Sequence, residues 1–351
     1  MKRYYWIILV AAGALLGYQQ LRPSNTENAF QAFGLPPSLE AWEGVNSGSA
    51  GAQILEGGEM ITVKDTVTYK VIEELTIINK GEGIPSKQNI WLALVRSIPP
   101  YQEVHARSIS PEGYQVVVDE YDNQYAEYAF DEMPAGSSIE IRIEYEVSVN
   151  QLDYDLSQCE GKLPEVFIYP DLHIESSNPQ IQSLAEGLRA GKSNVCAQVR
   201  AFYDYVGDNL VYTYNGGNWG AQAALGAMGA DCTEYSSLLV ALCRASGIPA
   251  RYIEGLYYRG PDPEDDERME HSWVEVFFPG IGWTPMDPTF GRKVNSRELY
   301  FAGMTPDHII VTQGRNPSTL RGNSYFAHLY WANGKTDIDI ENYHWVLKPI
   351  K

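Results

Sequence analysis

A chain of 351 residues is long enough for two domains of ordinary size. With 44% apolar and 20% charged residues it reads as globular, which excludes a wholly disordered chain. A net charge of −19 argues against nucleic acid or anionic lipid as the main partner, because both would be repelled, and leaves a cationic partner or substrate open.

Residues 1–20, "MKRYYWIILVAAGALLGYQQ", start with two basic residues and continue as an apolar run from Tyr4 to Tyr18. That is the pattern of an export signal. The run is short beside the ~20 residues of a membrane span. No A-x-A cleavage site follows it. A cleaved signal peptide and an uncleaved membrane anchor are both open, with a buried N-terminal helix as the plain alternative. In the first two cases the basic end stays in the cytoplasm and the rest is extracytoplasmic, secreted or anchored to the cell membrane. Residues 21–50 are rich in Pro, Gly, Ser and Asn and read as a flexible linker.

From 51 to 152 strand-like segments follow one another, among them "MITVKDTVTYKVIEELTIINKG", "QNIWLALVRSIP" and "SIEIRIEYEVSVN". Turn residues such as "KGEG", "SPEG" and "MPAG" separate them. Six or seven strands over this length predict an antiparallel β-sandwich. The alternation from Ile139 to Ile143 is the clearest single strand, one face buried and one wet.

Composition changes near 152, and residues 153–351 are expected to form a second, α+β domain with a C-terminal β extension. Val195, Val199, Phe202, Val206 and Leu210 recur at helical spacing, with Ser193 as the expected N-cap. A second helix is expected from Cys232 to about Ser246, closed by Gly247. Strands return with "ARYIEGLYY", "HSWVEVFFPG" and "GWTPMDPT", and the tail carries "SYFAHLYWANGKTDIDI" with an Asn-Gly turn.

The four cysteines are Cys159, Cys196, Cys232 and Cys243. Outside the cytoplasm a disulfide is permitted, and Cys159 with Cys196 is the pair to test, although spacing does not show that they meet. No C-x-x-C pair or His-Cys cluster suggests a metal site. Cys232 differs from the others in standing at the mouth of its helix, in "GADCTEY". Free backbone N–H groups at a helix N-terminus favour a thiolate, which is the reactive form. Asp231 could cap the helix, its charge partly opposing that effect. A small buried residue at a helix start is the bland alternative.

A nucleophilic cysteine usually needs a base, and the base an orienting group. His271 opens the strand "HSWVEVFF", where alternation puts His271, Trp273, Glu275 and Phe277 on one face. If the turn uses three residues, 279–281, then Asp287 falls opposite Trp273 and diagonal to His271, within side-chain reach. A surface histidine and an unrelated aspartate would have the same local sequence.

Taken together, "GADCTEYSSLLVALCRASGIPARYIEGLYY" and "HSWVEVFFPGIGWTPMDPT" resemble the core of the transglutaminase-like superfamily in its bacterial form, over roughly residues 190–292. The resemblance implies a papain-like α+β catalytic domain with Cys232 as nucleophile, His271 as base and Asp287 as the group that orients it. It implies no cofactor. It also implies an oxyanion hole, with the Cys232 backbone N–H as one donor and Trp219 of "GGNWG" as candidate for the other. A loop aromatic packing under the site is the alternative for Trp219. Arg251 is expected in a structural pair, and Trp273 and Trp283 as cleft wall or core. Some animal relatives use calcium, but the acidic run "PDPEDDERME" has the spacing of no known calcium loop and reads as solvated.

The expected function is that of an exported or anchored cysteine enzyme acting on peptide or side-chain amides through a thioester. Water as acceptor gives a peptidase or amidase, slightly favoured, and a lysine amine gives a cross-linking acyltransferase. The alternative is an inactive transglutaminase-like scaffold of the cell envelope.

Overall fold

The computed structural model describes residues 61–130, 132–214, 217, 219–226, 229–260 and 269–350. The expected signal or anchor, the linker and residues 261–268 of the acidic run lie outside the described residues.

The first six strands are β1 (Ile61–Asn79), β2 (Lys87–Leu94), β3 (Gln102–Ser110), β4 (Gln115–Val118), β5 (Gln124–Phe130) and β6 (Ser138–Tyr154). β1 and β6 pair antiparallel over nearly their whole length, and β3 pairs with β6 on its other side. β2, β5 and β4 form a second antiparallel sheet. The alternation around Ile139–Ile143 appears as expected: Ile141, Ile143, Tyr145, Val147 and Val149 point into a core shared with Leu75, Ile90, Leu92 and Tyr125.

Helices α1 (Pro179–Arg189), α2 (Val195–Asn209), α3 (Gly220–Ala224) and α4 (Cys232–Ala245) follow. The N-cap of α2 is Asn194, one residue beyond the expected Ser193. Its Oδ1 accepts the Ala197 N–H at 2.9 Å, so the residue whose carboxamide reaches the third N–H takes the position. Cys159 and Cys196 form a disulfide that ties the segment after β6 to the start of α2.

Strands β7 (Ala250–Tyr257), β8 (Glu270–Phe278), β9 (Gly282–Met286), β10 (Gly303–Met304) and β11 (His308–Gln313) come next. Four of them form a sheet in the order β11-β7-β8-β9, while β10 joins β6. This sheet is a middle layer. Val274, Val276 and Phe278 pack with Leu238, Leu239 and Leu242 of α4. Ile253, Leu256, Trp273 and Ile309 belong instead to the sandwich core.

The last strands, β12 (Phe326–Trp331) and β13 (Ile338–Pro349), correct the expected organisation of the tail. β12 pairs with β2 and β13 with β1, so residues 326–349 complete the two sandwich sheets and do not extend the second domain. The physical reason is that β1 and β2 would otherwise present open edges, which pairing satisfies.

Candidate active site

Helix α4 starts where it does because its first turn is fastened on both sides. The Asp231 carboxylate accepts the Thr233 N–H at 3.0 Å, and Glu234 reaches back to accept the Asp231 N–H at 3.0 Å. This closes a capping box around Cys232. Both acids are buried, and both sit where the helix dipole favours negative charge. Glu234 also accepts the backbone N–H of Trp219 at 2.9 Å. One turn further on, the Ser236 hydroxyl donates to the Ser272 carbonyl at 3.1 Å, and Tyr252 donates to the Ser272 hydroxyl at 2.7 Å. The helix is thereby pinned to β8 at the residue next to His271.

The β8–β9 hairpin has the predicted register. Phe278 faces Gly282 and Val274 faces Met286, which leaves a three-residue turn and carries Asp287 past the strand end opposite Trp273. His271 Nε2 lies 2.8 Å from Asp287 Oδ2, donating to it across the hairpin. The Cys232 sulfur lies close enough to the same imidazole to help hold its charge. His271 and Asp287 therefore meet as strand spacing anticipated, with the Cys232 sulfur beside the imidazole. Cys232 is partly open to solvent, whereas His271 is 6% exposed and Asp287 is sealed.

Asp287 is held from several directions. Its Oδ1 accepts the N–H groups of Thr289 at 2.7 Å and Phe290 at 3.0 Å, and its own N–H donates to the Tyr300 carbonyl. The Tyr203 hydroxyl on α2 donates to its carbonyl at 3.1 Å. Gly291 makes room for that phenol: a Cβ there would stand 1.7 Å from the Tyr203 oxygen.

The electrostatics follow from burial and these partners. Burial opposes charge on His271, but Asp287, and then Cys232, override it and lift the imidazole to about 9. Burial alone would raise the Asp287 carboxyl, yet the His271 and His308 rings hold it well below the usual carboxylate range. At neutral pH the site therefore holds an imidazolium between a sulfur and a carboxylate. That arrangement can supply a nucleophile, return a proton to a leaving group and keep one tautomer.

Trp219 reaches the helix start through its backbone. Its ring is 51% exposed and lies over Gly217, where a Cβ would come within 2.5 Å of the indole nitrogen. The Cys232 N–H, at the open end of α4, has no helical carbonyl in front of it. Arg251 makes a structural pair with Glu275 at 2.6 Å and stacks over Trp283, while Trp273 fills the core. Tyr257 and Phe290, which flank the His271 ring, also line a cleft of about 290 Å³ with Lys293, Asn295, Ser296 and Tyr300.

Sequence reasoning missed His308. It is fully buried at the start of β11, with Nε2 3.6 Å from Asp287 Oδ2 and Nδ1 2.8 Å from Asp307 Oδ1. The sequence signal, an Asp-His pair before the apolar run "IIV", does not point across the sheet to residue 287. One donor atom each from His271, Asp287 and His308 lies within 4.8 Å of the others, but His271 Nε2 spends its proton on Asp287 at 2.8 Å, so this ring turns no lone pair toward an ion there.

Residues 182–288, which include all three of Cys232, His271 and Asp287, match the sequence model of the transglutaminase-like superfamily core. The uncharacterized protein YebA of Bacillus subtilis is 30% identical over 173 residues, 42% of this chain and 23% of that protein. A protein-glutamine gamma-glutamyltransferase of Pseudomonas aeruginosa is 29% identical over 129 residues, 32% of this chain and 18% of that protein. The chain thus spans less than a quarter of the length of either relative. Among solved structures, a candidate cysteine protease from Cytophaga hutchinsonii has the same fold, with a TM-score of 0.59 over 83% of this chain and 93% of that one, at 17% identity.

Proposed function

Because the chain is a transglutaminase-like superfamily protein with an α+β fold, we propose that it is a cysteine enzyme that opens peptide or side-chain amides through a thioester on Cys232. The observation that supports this most is the His271–Asp287 hydrogen bond, beside a Cys232 sulfur that helps hold the imidazole's charge. In this account the sulfur attacks the amide carbonyl carbon, and the oxyanion forms against the Cys232 N–H, with Trp219 as the proposed second donor. The C–N bond breaks as His271 gives its proton to the departing amine. Water then attacks the thioester, His271 takes its proton, and the acid leaves as the sulfur is released. Asp287 keeps Nε2 protonated and supports the imidazolium throughout.

Water is the proposed acceptor because Cys232 is partly solvent-exposed. The relative named as a protein-glutamine gamma-glutamyltransferase favours a second reading, transfer to an amine. The proposed place of action is outside the cytoplasm, secreted or held to the membrane by the N-terminal segment. The Cys159–Cys196 disulfide supports that placement. The test is incubation with a Gln-containing peptide, with and without a primary amine, read by mass. Cleavage or conversion of Gln to Glu without amine is expected, an amine adduct would favour transfer, and wild type indistinguishable from Cys232→Ala would overturn both.

A further inference from the structure

The acid that orients His271 has a second partner, outside the residues that match the family core. His308 enters from β11, two strands beyond β8, and its ring is sealed from solvent. The Nδ1 contact to Asp307 fixes which way the ring faces. A carboxylate only accepts, so Nδ1 carries the proton there. That leaves Nε2 toward Asp287 Oδ2 at 3.6 Å, longer than a formed hydrogen bond but well within charge contact. A neutral ring with its proton on Nδ1 would turn a lone pair toward the carboxylate. A ring protonated on both nitrogens turns an N–H toward each acid.

We propose that His308 is a positioning residue, an imidazolium held between Asp307 and Asp287 that extends the His271–Asp287 pair into a row of four alternating charges and sets how tightly His271 holds its proton. The inference rests on the triad assigned under the proposed function, but its test needs no substrate. A general acid must give up its proton to the leaving amine. A carboxylate used by His271 alone would hold that proton more tightly than one shared with a second cation.

The surroundings fit a charge held for a purpose. Tyr257 lies 4.9 Å from the His308 ring and 6.1 Å from the His271 ring, between centroids, and Tyr300 lies 6.0 Å from His308. The Tyr101 hydroxyl donates to the His308 carbonyl, and Thr305 stands between Asp307 and His308. Tyr69 feels the Asp307 charge from β1. These phenols remain neutral at the pH values concerned, so the charges facing His308 are Asp287, Asp307 and the His271 ring, 5.7 Å away. His308 itself is lifted to about 9, with burial opposing the charge and the two acids overriding it.

The chain has six histidines, so ring nitrogens can be followed individually by NMR in protein labelled with 15N-histidine. In wild type at neutral pH, both His308 nitrogens are expected to be protonated. His308→Asn, which keeps a group near Asp307 but none toward Asp287, should raise the His271 titration by about one unit. The upper inflexion of Cys232 alkylation by iodoacetamide should move with it. His308→Gln, which can offer Asp287 an N–H but no charge, should return only part of that shift. An unprotonated Nε2 in wild-type His308 overturns the proposal, whether or not the variants fold. So does a His271 titration that His308→Asn leaves in place. If instead His271 shifts while no amide is ever opened, the positioning role stands and the proposed function fails.

Discussion

Stability between about pH 7.5 and pH 9 should report the two buried imidazoles directly. His271 and His308 each stand at about 9 in the fold, against 6.5 for an ordinary histidine. A group raised in the folded state contributes stability that is fully present below its unfolded value and is lost as pH rises through its folded value. Moving from about pH 7.5 to pH 9 should then remove about 1.5 kcal/mol per ring, and about 2 to 3 kcal/mol for the pair, because they share Asp287 and do not add fully. The measurement uses a Cys232→Ser background, because an unfolded thiol titrates at about 8.5, inside the window. Glu270, pushed up by burial to about 7, is largely ionised at its start, and Cys243, pushed up by burial, begins to count only at its end. Urea unfolding at the two pH values, followed by the fluorescence of the eight tryptophans, measures the difference. The paired substitution His271→Gln with His308→Gln should reduce the fall to under about 1 kcal/mol. A stability that stays level or rises across the window in the Cys232→Ser background would refute the assignment of two buried imidazolium ions.

Gly291→Ala, at a position outside the left-handed region, should push the Tyr203 phenol off the Asp287 carbonyl and cost about 2–4 kcal/mol from overpacking and one lost hydrogen bond, read as a lower urea midpoint. Asp287→Asn leaves burial as the main influence on His271, so the imidazole drops toward or below its ordinary value, and alkylation of Cys232 at pH 6 to 7 should slow by about tenfold or more. Replacing Cys159 and Cys196 by serine opens a loop with a sequence separation of 37 and should lower stability by about 3–4 kcal/mol in the chain-entropy picture, visible in the same urea titration.

The parts of the site that were legible in the sequence are those set by local rules. A three-residue turn and strand alternation fix where Asp287 falls relative to His271, and a capping pattern places Cys232 at the first turn of α4. His308 was not legible, because its link to Asp287 runs through space from another strand and leaves no spacing to read. The fate of the tail was hidden for a similar reason. Residues 326–349 alternate like any strands, and nothing in them states that their partners lie more than 230 positions earlier, as in the pairing of Phe326 with Leu92. The indole of Trp219 shows the converse. It was expected to donate to the oxyanion or to pack under the site, but the contact with the cysteine helix uses the main chain, which any residue could supply, while the ring lies over Gly217.

The account turns on the reactivity of one sulfur, and alkylation by iodoacetamide near neutral pH tests it most directly. With Cys159 and Cys196 joined, the free thiols are Cys232 and the buried Cys243, which serves as an internal control. Peptide mapping should find Cys232 modified far ahead of Cys243, with His271→Ala slowing that modification by about tenfold or more. Equal, slow modification of both thiols, or a rate that His271→Ala leaves untouched, would contradict it.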